Sequence, residues 1–310
     1  MSSVVTDAVL AELVRDGVVE SVHRGYFVAL NADGSTKLAL GDPNHLIFPR
    51  STVKSIQGAA MVHAGLQLEP RLLALGCSSH SGSAEHIAAV REILAIAKLD
   101  ESALQCMRDK PLGESERRAW GDNPPTRIAM NCSGKHAAML LTCVTNGWPI
   151  ENYLDPEHPL QVAIKAELEA LSGERISLTS ADGCGAPLFL ISVIGLARAI
   201  REVTISKDPG IASVISASRA FPEMVAGEGR LTTEMMQAVD GLYMKDGIEA
   251  VEVASMPDGR TLVFKVGDGS LRPFRVLVHA GLKVLGVDSP YTQENVLGGE
   301  RVIGAIRATF

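Results

Sequence analysis

The sequence predicts an α+β fold in which an antiparallel sheet joins strands from both ends of the chain and a helical region fills the middle. Three observations carry that prediction. Strand-like apolar runs linked by tight turns stand near the start, helical periodicity dominates from about residue 51 to 241, and a second strand pair follows between 250 and 266. No repeat, linker or low-complexity segment divides the 310 residues, so they are read as one domain, 1–310.

Leu10 to Arg15 and Gly25 to Asn31 read as strands, and Asp33-Gly34 turns the chain into a third, Thr36 to Leu40. His23 and Arg24, between the first two runs, are assigned structural or loop roles. After Pro49 the period changes. Val53, Ile56, Ala60 and Ala64 mark a helix whose opposite side carries Ser51, Lys54, Ser55 and Gly58. A second helix has Ile87, Val90, Leu94 and Ala97 on one face, after which Asp100 to Pro125, polar and broken by prolines, reads as surface wrapping with little functional signal. Helices are expected over Ala137 to Val144, along Leu160, Ile164, Leu168 and Leu171, and from Leu188 to Ile200. Ala212 to Gly241 reads as helical with breaks at Phe221-Pro222 and Gly227-Glu228-Gly229. Pro257-Asp258-Gly259 joins the strands Ala250 to Met256 and Arg260 to Val266, and Pro273 to Leu285 is the closing helix.

With 46% apolar residues the chain can bury a substantial core. Its net charge of -7 and its lack of any basic run argue against a nucleic-acid or anionic-membrane surface. Small molecules are the expected partners. The N-terminus has no basic segment followed by an apolar run, and the longest apolar stretch, Gly185 to Ala197, is too short to span a bilayer, so a cytoplasmic location is expected. Five cysteines suit reduced thiols or metal ligands better than a disulfide framework.

Four stretches carry chemistry. In Phe48-Pro49-Arg50-Ser51-Thr52-Val53-Lys54, a helix start would place Ser51 and Lys54 one turn apart on one face. A serine hydroxyl needs a base, and a lysine serves only where its amine is kept neutral. Gly76-Cys77-Ser78-Ser79-His80-Ser81-Gly82 is a hydroxyl-rich turn that reads either as a helix cap or as a second hydroxyl beside that pair. Asn131-Cys132-Ser133-Gly134-Lys135-His136 has a Gly-Lys pair but Ala129 where a phosphate loop needs its first glycine, so that reading is rejected. A thiol at a helix start beside Lys135 has reason to be ionised. Asp182-Gly183-Cys184-Gly185-Ala186-Pro187 supplies another cysteine in a glycine-framed turn. Cys132 and Cys184 could meet at one zinc completed by His136, Cys77 or His80, with buried free thiols as the other reading; Cys106 and Cys143 read as core.

In order and spacing these motifs, with Glu85-His86-Ile87 and Glu223-Met224-Val225-Ala226-Gly227-Glu228-Gly229-Arg230, resemble the rhizobial-type (class 3) L-asparaginases, the bacterial asparaginase II family. The resemblance runs from about Val18 to Gly286. It implies a fold like the serine β-lactamases and penicillin-binding proteins, a homodimer, and hydrolysis of L-asparagine to L-aspartate and ammonia. It also implies two Ser-Lys pairs, falling on Ser51 with Lys54 and on Ser79 with Lys245, and zinc ligands falling on Cys132, Lys135 and Cys184. A lysine ligand must be neutral, so such a site loses metal as pH falls.

The expected mechanism has Lys54 taking the proton of Ser51, whose oxygen attacks the side-chain amide, with Ser79 as proton relay or as nucleophile itself. Arg50 is expected to hold the substrate carboxylate and Asp182 its ammonium. His80 and His136 are expected to orient neighbours rather than to react. Two rivals stand beside this reading. One is a serine amidase of the same fold acting on another substrate, against which no Lys-Thr-Gly-like stretch or Ser-Asp-Asn triplet appears; the other is a zinc-stabilised amino-acid-binding protein without catalysis.

Overall fold

The apolar run that closes the second strand sets the centre of the fold. The protein is described here by a computed structural model covering residues 7–291 and 293–310. Strands β1 (Ala8–Arg15), β2 (Val18–Leu30) and β3 (Thr36–Leu40) open the chain, and every residue from Gly25 to Leu30 is buried. That half of β2 has β3 on one edge and the later strand Thr261–Val266 on the other, and both its faces are buried, so it reads as a continuous apolar run rather than an alternating one. Gly25 is required there, because a Cβ would lie 2.0 Å from the Lys265 carbonyl oxygen.

After β4 (Leu46–Ile47) a 3-10 turn over Arg50–Val53 runs into α1 (Lys54–His63), followed by α2 (Pro70–Gly76) and α3 (Ala84–Ile96). Next come α4 (Glu114–Trp120), α5 (Ser133–Asn146) and α6 (Pro159–Ser172), short strands β5 (Thr179–Ala181), β6 (Pro187–Phe189) and β7 (Ile191–Ser192), and α7 (Val193–Ile205). The helices α8 (Pro209–Ala220), α9 (Pro222–Val225) and α10 (Leu231–Ala238) lead to β8 (Tyr243–Gly247), β9 (Val251–Ser255) and β10 (Thr261–Val266). Helix α11 (Phe274–Val284) and the hairpin β11 (Asn295–Gly298) and β12 (Arg301–Ala308) finish the chain.

The main sheet runs β11-β12-β1-β2-β10-β9-β8, with β3 also on β2, and β12 pairs antiparallel with β1 through Leu13 and Ile306. The α+β class, with strands from both ends sharing one sheet around a helical middle, is therefore the one the chain adopts. Helix α7 lies against β2, β9 and β10, and one continuous apolar cluster spans sheet and helices among the described residues.

Three expectations need correction. The helix expected from Leu188 begins only at Val193, because the Ser192 hydroxyl accepts the Gly195 N–H at 2.9 Å and fixes the N-cap there. The preceding Leu188 to Ser192 is instead drawn into β6 and β7, which pair with β5 and β4. Strand β8 was hidden, since Lys245 and Asp246 interrupt its apolar pattern. The Pro273–Leu285 helix does not close the chain; the β11–β12 hairpin after it supplies the sheet edge. His23 is a buried β2 residue whose ring nitrogens have no hydrogen-bond partner, and Arg24 pairs with Asp7 at 2.8 Å.

Phe27 is fully buried in β2 and its ring packs 4.6 Å from that of Phe310 at the chain end. Replacing it by Ala is expected to cost about 3–5 kcal/mol through lost burial and the cavity left behind. Urea titration checks this as a lower midpoint at unchanged slope.

Candidate active site

The site starts from a proline and a strained residue. Pro49 opens the 3-10 turn, and Arg50 takes a left-handed backbone with φ of 53°, which a residue with a Cβ adopts at a cost. This conformation sets Ser51 at the head of the turn, on the wall of a cleft of about 730 Å³. Strand β8 lies directly against the turn. Gly247 permits that approach, because a Cβ there would come within 3.1 Å of the Pro49 carbonyl oxygen.

From α1, the Lys54 side chain points inward with 1% exposure. Its Nζ is 3.0 Å from Ser79 Oγ and 3.1 Å from Cys132 Sγ, and it also donates to the Ser78 carbonyl. Ser79 belongs to the hydroxyl-rich turn after α2, and its N–H is held by the Val225 carbonyl at 2.9 Å. The capping duty in this turn falls on Ser83, whose hydroxyl accepts the His86 N–H in a reciprocal capping box. Ser79 is thereby free to face the cleft, which it lines together with Ser51. Ser51 Oγ makes no hydrogen bond among the described residues, so the lysine expected beside it rests on Ser79 instead.

Lys245, on β8, is fully buried and donates to its neighbour Asp246, at 2.7 Å to the carbonyl and 2.8 Å to Oδ1. Burial pulls its ammonium down to about 8; the Asp246 charge opposes this while Lys54 and Arg230 reinforce it. Asp246 also accepts from Arg230 Nη2 at 2.5 Å and from Thr232 Oγ1 at 3.4 Å. Burial alone would raise the Asp246 carboxyl, but the Lys245 and Arg230 charges hold it well below the usual carboxylate range. Arg230 also donates to the Ser79 carbonyl, so one guanidinium ties the serine turn to β8. Sequence reasoning passed over Arg230 and Asp246. The only signal was that Arg230 ends the Gly-Glu-Gly-Arg run.

The two glycine-framed cysteines meet on the cleft floor. Cys132 and Cys184 are both buried and interact through one thiol proton: hydrogen bonding between them raises Cys132 and lowers Cys184 well below the ordinary thiol range. Lys135 Nζ sits 3.1 Å from Cys184 Sγ. Burial would lower its ammonium, but the neighbouring sulfurs and Asp182 raise it. Ionisation, expected at Cys132, is favoured at Cys184 instead, through the hydrogen bond from Cys132 and then the Lys135 charge.

Of the candidate third ligands, His136 is nearest: its Nδ1 meets the Tyr153 hydroxyl at 2.7 Å, while Nε2 lacks a partner of normal geometry and interacts with Cys184. Cys77 packs against α1 and burial pushes its thiol up to about 12, and His80 is held by Ser133 at 2.9 Å; neither joins the pair. Among the described residues no group of three or more His, Cys, Asp or Glu converges to hold a metal ion. The Cys132–Lys135–Cys184 set, two soft sulfurs and an amine in contact, fits zinc in donor type once Lys135 loses its proton. All five cysteines are free.

Arg50 and Asp182 face each other, Nε to Oδ1 at 2.7 Å, and Asp182 also accepts the Gly183 N–H at 2.9 Å. Both line the cleft. So do Met107, Asp109, Leu112 and Glu114, from the Asp100 to Pro125 stretch that the sequence marked as featureless.

A cleft that gathers two serines, two buried lysines and a thiol pair holds the groups an amide-hydrolysing enzyme needs. The chain belongs to the L-asparaginase II family, whose model matches residues 11–307, and is thus an amidohydrolase. No curated protein matches it. Among solved structures it is similar to a protein of Bacteroides dorei described as a candidate β-lactamase, with 14% identity over 84% of this chain and 93% of that one and a TM-score of 0.48. A β-lactamase from Mycobacterium bovis has 13% identity over 84% and 94%, with a TM-score of 0.39. EstCE1, a hydrolase with promiscuous acyltransferase activity, has 10% identity over 91% and 94%, with a TM-score of 0.41. Likenesses this distant say nothing about substrate. No helix among the described residues is long and apolar enough to cross a membrane.

Arg230 joins three partners in a part-buried position. Arg230→Ala leaves Asp246 with less compensation but still paired with Lys245, and the expected loss is about 1–3 kcal/mol of folding stability, read by chemical denaturation.

Proposed function

We propose that this protein hydrolyses L-asparagine to L-aspartate and ammonia through a serine acyl-enzyme. The observation that carries the reading is the contact of Lys54 with Ser79 in the cleft that Ser51 also lines. Ser51 attacks the side-chain amide carbon from its strained turn, and its own backbone N–H stabilises the oxyanion, since the Thr52 and Lys54 N–H groups already bond to the Pro49 and Ser51 carbonyls. Its proton passes through Ser79 to Lys54. Lys54 returns that proton to the amide nitrogen, the C–N bond breaks and ammonia departs, and water releases aspartate from Ser51. Two proton states of Lys54 suit the observed contacts: an ammonium donating to Ser78, Ser79 and Cys132, or an amine accepting from Ser79 and donating to the other two. These are the end and the beginning of the proton transfer.

A charged Lys245 repels positive charge at Lys54, so Lys54 takes the serine proton more readily while Lys245 is uncharged. Arg50 binds the substrate carboxylate with the part of its fork that Asp182 does not use. Asp182, already occupied by Arg50, orients that guanidinium rather than meeting the ammonium. Zinc, if carried, would be held by Cys132, Lys135 and Cys184, supplying positive charge at the cleft floor. Zinc is expected to raise the melting temperature, and C132A/C184A to abolish that rise; an unchanged melting temperature with zinc speaks against the site. A cytoplasmic homodimer is the working assembly we infer from the family.

Ammonia release from L-asparagine tests the reading. Ser51→Ala is expected to abolish both release and the trapped covalent adduct, while Ser79→Ala slows adduct formation by about 10²–10⁴-fold without preventing it. An adduct in Ser51→Ala moves the nucleophile to Ser79, and asparagine binding without release returns the protein to a binding role. Because Lys245 is neutral only above about 8, kcat/KM is expected to rise with pH up to that value and to level off beyond it.

A further inference from the structure

Lys245 has no exposed surface, whereas the Asp246 side chain keeps 24% of its own and lines the cleft. A cation entering the cleft can therefore reach Asp246 but not Lys245. The carboxylate is the single anionic partner of Lys245 among the described residues, and it is shared with Arg230 and Thr232. The asparagine reading supplies such a cation, the substrate α-ammonium, and Asp182, which also lines the cleft, pairs at 2.7 Å with the Arg50 guanidinium assigned to the substrate carboxylate.

We propose, resting on that reading, that Asp246 receives the α-ammonium of the substrate and thereby loosens its ion pair with Lys245, so that Lys245 gives up its proton only when the cleft is filled. On binding, the Lys245 proton leaves to bulk water as the incoming ammonium takes over part of its ion pair.

The surroundings of Lys245 favour this release. Asp246 on its own strand is the one ionised acid beside it, with Arg230 at the head of α10 and Lys54 on α1 both adding positive charge. Cys77, after α2, is pushed up to about 12 by burial, and Glu252 on β9, fully buried and cross-strand from Asp246, is raised by burial and by the Asp246 charge, so both favour their neutral forms beside Lys245. A further cation on Asp246 removes the one attraction that holds the Lys245 proton.

The test compares L-asparagine with succinamate, the same amide without the amino group. The pH dependence of kcat/KM reports the free enzyme and that of kcat the substrate complex. With L-asparagine, the acid limb of kcat is expected to lie about one pH unit or more below that of kcat/KM, a tenfold change in proton affinity. With succinamate the two limbs coincide. Asp246→Asn is expected to bring the limbs together for L-asparagine and to raise its KM at least about tenfold; this arm needs L-asparagine turnover alone. Coincident limbs for L-asparagine with the unmodified protein, or equal separation for both substrates, overturn the inference while leaving the asparaginase reading standing. No ammonia from L-asparagine overturns both.

Discussion

Burying three lysines in one protein is the constraint from which the site follows. Lys54, Lys135 and Lys245 are each exposed by 1% or less, and an ammonium withdrawn from water is costly unless acceptors replace the solvent. Each has a different solution. Lys54 uses a carbonyl, a hydroxyl and a thiol, Lys135 a thiolate, and Lys245 a carboxylate with the adjoining carbonyl. These acceptors come from three separate turns and one strand. Satisfying the lysines therefore gathers the cleft.

The same acceptors set the chemistry. A carbonyl and a thiol leave Lys54 able to exchange a proton with Ser79, whereas the carboxylate of Asp246 makes the Lys245 proton dependent on what else that carboxylate binds. Arg230 fixes the distance between these two arrangements, since it holds both Asp246 and the Ser79 carbonyl. The sheet provides the rigid part. β8 lies at its edge, against the turn that carries Ser51, and Gly247 lets the two backbones approach.

Much of the fold was legible. The hairpins at Asp33-Gly34 and Pro257-Asp258-Gly259, the α1 and α3 periodicities and the sharing of one sheet by both chain ends all stand as read. What failed did so for identifiable reasons. Leu188 to Ser192 is apolar enough for helix or strand, and only the partners β4 and β5 decide. β8 carries Lys245 and Asp246, whose charges look like a loop until their mutual pairing removes the cost of burying them. The Asp100 to Pro125 stretch showed no motif, because residues that shape a cleft wall need no chemistry of their own.

By itself, the sequence determined which groups are available: two serine-bearing turns, three lysines and two glycine-framed cysteines, set at element boundaries by prolines and glycines that act locally. Only the tertiary structure decided the pairings. Lys54 meets Ser79 and Cys132, 25 and 78 residues away, Arg50 meets Asp182 across 132, and Arg230 reaches the Ser79 carbonyl across 151. Helical spacing put Lys54 beside Ser51, but a side chain turns toward the acceptor that best replaces its lost water, and which acceptor lies within reach is fixed by packing between distant elements.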